Sequence, residues 1–234
     1  IILITLLGGV AAIIIGSLWY SDKTPMGRLH MHTLGFDALS REEQQKLIEE
    51  AKQPLLLLGL EASRLENAKA IRQLLRRKPL GVVCTYQGAG IITRELLPCF
   101  AGRVGLFKNQ PGDQLIDAAD LIVTIGYDPV EYDPELWNSK NNKKIIHMDY
   151  NLAEIHTSYT PYLEVLGNIA DNISHLEQTL KSHPAETLPF VQEYQNELIS
   201  VIQSGAHLHG PKIHPLRFIY ELQNIADDNT LVVS

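Results

Sequence analysis

The feature that most constrains this chain is an alternation between residues 54 and 181. Short, continuous apolar runs take turns with stretches of helical period. Residues 55–60 are uninterrupted apolar sequence, as a strand buried on both faces requires. Residues 63–77 then place Leu65, Ala68, Ile71, Leu74 and Leu75 on one inward stripe of a helix. Further strands are expected at 80–85, 103–107, 121–126, 144–149 and 162–166, with helices at 111–119 and 168–181. Strand and helix in this order predict an α/β, Rossmann-like domain. It has about six parallel strands, helices on both faces and right-handed crossovers. Ligands of such sheets bind beyond the carboxyl ends of the strands.

On the amino-terminal side, residues 37–52 read as a helix with Leu39, Leu47, Ile48 and Ala51 on one stripe. Asp37 or Ser40 is its N-cap, and Pro54 halts it. On the other side, residues 182–187 read as a linker, followed by helices at 190–204 and 215–226. Leu231-Val232-Val233 then begins an apolar strand, which suggests that the sequence, rather than the protein, stops there. Residues 1–20 form an uncharged apolar run of about the length that spans a bilayer, with Trp19 and Tyr20 at its end. No basic residue precedes it, so the start of a signal peptide is missing. Two readings stay open: a membrane anchor, or a buried element of absent or rearranged sequence. The expected division is an apolar segment at 1–20, a connector at 21–36 and a domain at 37–182. Residues 183–234 hold the linker and the start of a further domain.

A net charge of −7 argues against a nucleic-acid partner, because phosphate binding draws on clustered Lys and Arg. The one basic run, Arg76-Arg77-Lys78, closes a helix and complements its dipole. Cys84 and Cys99 lack metal-ligand spacing and read as reduced thiols of a cytoplasmic protein, with one disulfide between them as the alternative. The close pairs His30/His32 and His207/His209 have no Cys or carboxylate pattern beside them that makes a metal site. Gly88-Ala89-Gly90 follows a strand but is not a three-glycine dinucleotide fingerprint, and a turn explains it better. Asp149 ends a strand as a ribose-binding acid does, and equally as a loop cap does. Three carboxylates crowd Tyr127-Asp128-Pro129-Val130-Glu131-Tyr132-Asp133-Pro134, where a solvated capping loop is the better reading than an acid/base pair. Residues 103–110 are the best local candidate for a cleft lining, with a structural loop as an equal alternative. The candidates lining a cleft are Gln87, Gly88, Phe107, Lys108, Asn109, Gln110 and Asp128. No nucleophile elbow, P-loop or HExxH string occurs.

The wording of the chain goes further than its pattern. The stretch from Phe100-Ala101-Gly102-Arg103 through Phe107-Lys108-Asn109-Gln110 to Pro111-Gly112-Asp113 resembles the central domain of catabolic acetolactate synthases, which depend on thiamine diphosphate. So does the stretch from Ala119-Asp120-Leu121 through Ile125-Gly126-Tyr127-Asp128 to Trp137-Asn138. Ile146-His147-Met148-Asp149 and Glu164-Val165-Leu166-Gly167-Asn168 agree. His214-Pro215-Leu216-Arg217 looks like the family's entry into its diphosphate-binding domain.

This resemblance implies an enzyme that condenses two pyruvates to 2-acetolactate and carbon dioxide. Thiamine diphosphate is the electron sink, and magnesium anchors its diphosphate. It also implies that the catalytic Glu and the Gly-Asp-Gly…Asn metal motif lie in neighbouring domains. No Gly-Asp-Gly string occurs here and residues 1–36 match nothing, so no catalytic, cofactor-binding or metal residue is carried over. The partners implied are those missing pyrimidine and diphosphate domains and further copies in a homodimer or homotetramer. In that assembly Gln87 and the 107–110 loop wall the active-site funnel. Relatives that hold FAD carry a basic segment where this chain has Tyr127-Asp128-Pro129-Val130-Glu131, so the resemblance implies no FAD. The alternatives are a non-catalytic nucleotide- or FAD-binding module of the same fold, tethered by residues 1–20, and another thiamine-dependent carboligase or decarboxylase.

Overall fold

The structure is a computed structural model that describes residues 37–107, 110–181, 188–227 and 230. Six strands occur among them: β1 (Pro54–Leu58), β2 (Gly81–Thr85), β3 (Phe100–Val104), β4 (Leu121–Ile125), β5 (Lys144–Asp149) and β6 (Leu163–Leu166). The helices are α1 (Asp37–Glu50), α2 (Leu65–Arg77), α3 (Pro111–Ala118), α4 (Pro134–Trp137), α5 (Ile169–Thr179), α6 (Pro189–Ser204) and α7 (Pro215–Ile225). All strand pairs are parallel, in the order β3-β2-β1-β4-β5-β6.

Side chains of a strand alternate between its faces, and β1 shows what that does in a sheet covered twice. Leu56 and Leu58 enter one core with Ile48 of α1, Ile71, Leu74 and Leu75 of α2, and Ile173 and Leu176 of α5. Leu55 and Leu57 enter the other with Leu115 and Ile116 of α3, Trp137 of α4 and Val191 of α6. The apolar run therefore needs no polar partner on either side. Pro54 is tolerated because it heads its strand. The basic end of α2 is tied by ion pairs from Arg76 to Glu95 and from Arg77 to Glu177 of α5.

Three expectations need correction. The third strand lies at Phe100–Val104, not 103–107, because Ala101 and Val104 are the residues that reach the core. Leu65 is 68% exposed, since it stands on the first turn of α2, short of the stripe formed by Ala68, Ile71, Leu74 and Leu75. Helix α1 is already formed at Asp37, so Ser40 lies inside it and is not its cap. The apolar run 1–20, the connector 21–36, the pair His30/His32, the linker 182–187 and the strand start 231–233 lie outside the described residues. Among the described residues, no helix is long and apolar enough to cross a membrane.

Candidate functional site

Strand order reverses between β1 and β4, and a sheet of this kind receives ligands at the carboxyl ends flanking that reversal. A crevice of about 740 Å³ opens there, with Leu60, Gln87, Asp128, Glu131, His147 and Asp149 among its walls.

Two glycines bring the strand ends unusually close. The Gly59 N–H donates to the Ile125 carbonyl at 3.0 Å, and the Glu61 N–H donates to the Gly126 carbonyl at 3.1 Å. Gly126 has φ +55°, and a Cβ on it would stand 2.5 Å from the Ala62 nitrogen. A side chain at either position would push β1 and β4 apart.

The Glu131 carboxylate sits over this junction. It accepts the Leu60 N–H at 3.0 Å to each oxygen, the Asp128 N–H at 3.0 Å and the Thr85 hydroxyl at 2.6 Å. Thr85 in turn accepts the Gly88 N–H at 3.1 Å, which fixes the turn after β2. The loop that carries Glu131 is held from below. The Tyr127 hydroxyl donates to the Tyr132 carbonyl, the Trp137 indole donates to the Tyr127 hydroxyl at 3.2 Å, and the Tyr132 hydroxyl donates to Asp113 at 2.7 Å. Burial raises the Tyr127 and Tyr132 phenols well above their ordinary range, so both stay neutral donors.

The far wall of the crevice belongs to β5. Asp149 accepts the Asn151 N–H at 3.0 Å, and its carboxyl is raised above its ordinary value, chiefly by burial. His147 reaches the Tyr159 hydroxyl at 2.9 Å and the Asn151 carbonyl at 3.1 Å. Tyr159 reaches Thr124 at 2.7 Å. Because the Asn151 carbonyl only accepts, that ring nitrogen of His147 carries a proton.

Among the described residues, five carboxylates, of Glu61, Asp128, Glu131, Asp149 and Glu154, line the crevice beside a single guanidinium, Arg64. Arg64 is already paired with Glu61 at 2.5 Å and lies over the Tyr150 ring. Among the described residues there is no grouping of three or more His, Cys, Asp or Glu able to hold a metal ion. Cys84 and Cys99 are free and buried, and burial pushes the Cys84 thiol up to about 12.

Of the residues singled out from sequence, Gln87 and Asp128 do line this crevice. Gly88 lies outside the lining, beneath it, where a Cβ would stand 2.5 Å from the Leu58 carbonyl. Gln110 precedes α3, where its backbone N–H donates to the Asp113 carboxylate at 2.9 Å, and Phe107 stands in solvent at 67% exposure. Lys108 and Asn109 lie outside the described residues. Asp149 takes its loop-cap reading and also faces the crevice. Sequence reasoning missed the centre of the site. Glu131 stood in a loop expected to be solvated, yet it is bound by four donor contacts from three residues.

Comparison with known proteins adds the decisive observation. The thiamine pyrophosphate enzyme central-domain family matches residues 42–176, which is most of the described sheet and its helices. The chain belongs to that family. Its relatives include the acetolactate synthase of Bacillus subtilis, 41% identical over 192 residues, covering 79% of this chain and 33% of the relative. The catabolic acetolactate synthase of Raoultella terrigena is 39% identical over 189 residues, covering 78% and 33%. The large subunit of acetolactate synthase isozyme 1 from Escherichia coli is 25% identical over 205 residues, covering 85% and 34%. The chain thus spans about a third of the length of the relatives it matches. The crevice described above is the switch-point crevice of a thiamine pyrophosphate enzyme's central domain.

Proposed function

We propose that this chain is the structural central domain of a catabolic acetolactate synthase, the enzyme that condenses two pyruvates into 2-acetolactate with release of carbon dioxide. The observation that carries the reading is the agreement of the family match over 42–176 with the two relatives near 40% identity. Thiamine diphosphate, bound in the assembled enzyme, supplies the carbanion-stabilising chemistry, and magnesium anchors its diphosphate. The residues of the crevice do not fit that diphosphate. The Leu60 and Asp128 amides are occupied by Glu131, and the crevice walls are acidic. No step of the reaction is assigned to them. The domain's role is then to hold its neighbours in place, in a dimer or tetramer, as a cytoplasmic protein. The acidic walls also weigh against FAD in this crevice. Helix α7 supports a continuing domain, since none of its residues is buried and Phe218, Ile219 and Ile225 stand exposed.

The test is an assay of the 234-residue chain with pyruvate, thiamine diphosphate and magnesium. The expected result is no acetolactate. Turnover by this chain alone would place the chemistry inside it and overturn the reading.

A further inference from the structure

We propose that Glu131 is the resident anion of the switch-point cradle, a carboxylate supplied by the chain itself where a sheet of this strand order offers its backbone N–H groups to a phosphate. It is thereby the residue that sets the crevice against phosphate-bearing ligands.

The cradle has the parts that an anion site needs. Successive backbone amides converging at strand ends and turns bind anions because their dipoles add and they need no reorganisation. Here the Leu60 N–H after β1 and the Asp128 N–H after β4 converge on one point, and the Thr85 hydroxyl joins them from β2. Gly59 and Gly126 let the two backbones approach that closely. The occupant of the point is a side chain from the same chain. Both oxygens of Glu131 are engaged, with Oε1 taking the Leu60 and Asp128 amides and Oε2 the Leu60 amide and the Thr85 hydroxyl.

A phosphate arriving at this point meets three obstacles. It has to displace a carboxylate held by charge-assisted hydrogen bonds. The displaced carboxylate then stays beside Asp128 and Asp149. Among the described residues of the walls the one guanidinium, Arg64, is spent on Glu61. The chemistry left open to the crevice is a neutral or cationic ligand without phosphate. This inference is independent of whether the assembled enzyme forms acetolactate, because it concerns only the donors and the acceptor seen in this domain.

The experiment uses the full 234-residue chain and inorganic pyrophosphate as probe, with sodium chloride at matched ionic strength as control. In the unaltered chain, thermal unfolding should show no saturable response to pyrophosphate. Glu131→Ala, which frees the donors, should melt lower and regain stability saturably with pyrophosphate. Its affinity should exceed that of the unaltered chain by about tenfold or more, the equivalent of one charge-assisted hydrogen bond. Glu131→Gln, which keeps one acceptor, should fall between the two. Equal pyrophosphate binding by the unaltered chain and by Glu131→Ala would overturn the proposal, as would a folded Glu131→Ala that gains none. Should that variant not fold, Glu131→Gln decides. The Leu60 and Asp128 amide proton resonances should both move between the unaltered chain and Glu131→Gln. Resonances that ignore the substitution would overturn the assignment.

Discussion

Strands β1 and β4 are clasped by a carboxylate at each end, and the two clasps differ in what they cost the protein. At the amino end, Asp120 accepts the Lys52 N–H at 2.8 Å and the Gln53 N–H at 2.9 Å. At the carboxyl end, Glu131 accepts the Leu60 and Asp128 amides and the Thr85 hydroxyl. Both acids flank β4, and both satisfy backbone donors that the sheet leaves unpaired. The amino edge of such a sheet has no ligand to lose. The carboxyl edge at a strand-order reversal is where ligands bind, so a clasp placed there uses up the donors that would have received one. The same bonding is plain reinforcement at one end and a commitment against a class of ligands at the other.

The comparison can be broken most forcefully at the backbone. Gly126→Ala would force a side chain into a left-handed conformation and against the Ala62 nitrogen. A loss of about 3 kcal/mol is expected, read as a lowered midpoint in urea. A midpoint that does not move would show that the two strand ends are not held as closely as described.

The two clasps themselves come next. Glu131→Ala should cost about 2 kcal/mol, because it orphans donors in a half-buried setting, and exposed Asp120→Ala about 1 kcal/mol or less. Equal losses in paired unfolding curves would remove the asymmetry between the ends.

The smallest effect is at Asp149, whose carboxyl is raised, first by burial and against the pull of the Asn151 amide. A raised value means that the fold suits the protonated form. That advantage is complete at low pH and is lost as pH rises through the raised value. Asp149→Asn should therefore raise the melting temperature at neutral pH. The difference from the unaltered chain should close as pH falls below about 3, where the carboxyl is protonated in both states. A gain that persists in acid would contradict the sign.

Much of the fold was legible because burial on two faces writes itself as apolar runs. Residues 55–58, 121–125 and 145–148 carry that signature and lie where it predicted. β3 shifted by three residues because Phe100 and Ala101 are weaker signals than Val104 and Leu106. The crevice was legible only in outline. Its position follows from strand ends, where Gln87 and Asp128 line it. Glu131 was not, because its role is made of bonds to Leu60 and Thr85, 71 and 46 positions away, and loop coordinates rather than periodicity create them. The available signal was a glycine ending each of two adjacent strands, Gly59 and Gly126, with an acid five residues after the second.

The most direct test of the proposal that this sheet is the central domain of an acetolactate-forming enzyme is a chimera. Residues 42–176 would replace the matching segment of the Bacillus subtilis acetolactate synthase, and acetolactate would be assayed from pyruvate with thiamine diphosphate and magnesium. The account predicts a chimera that forms acetolactate. A chimera that folds and assembles but forms none would contradict it.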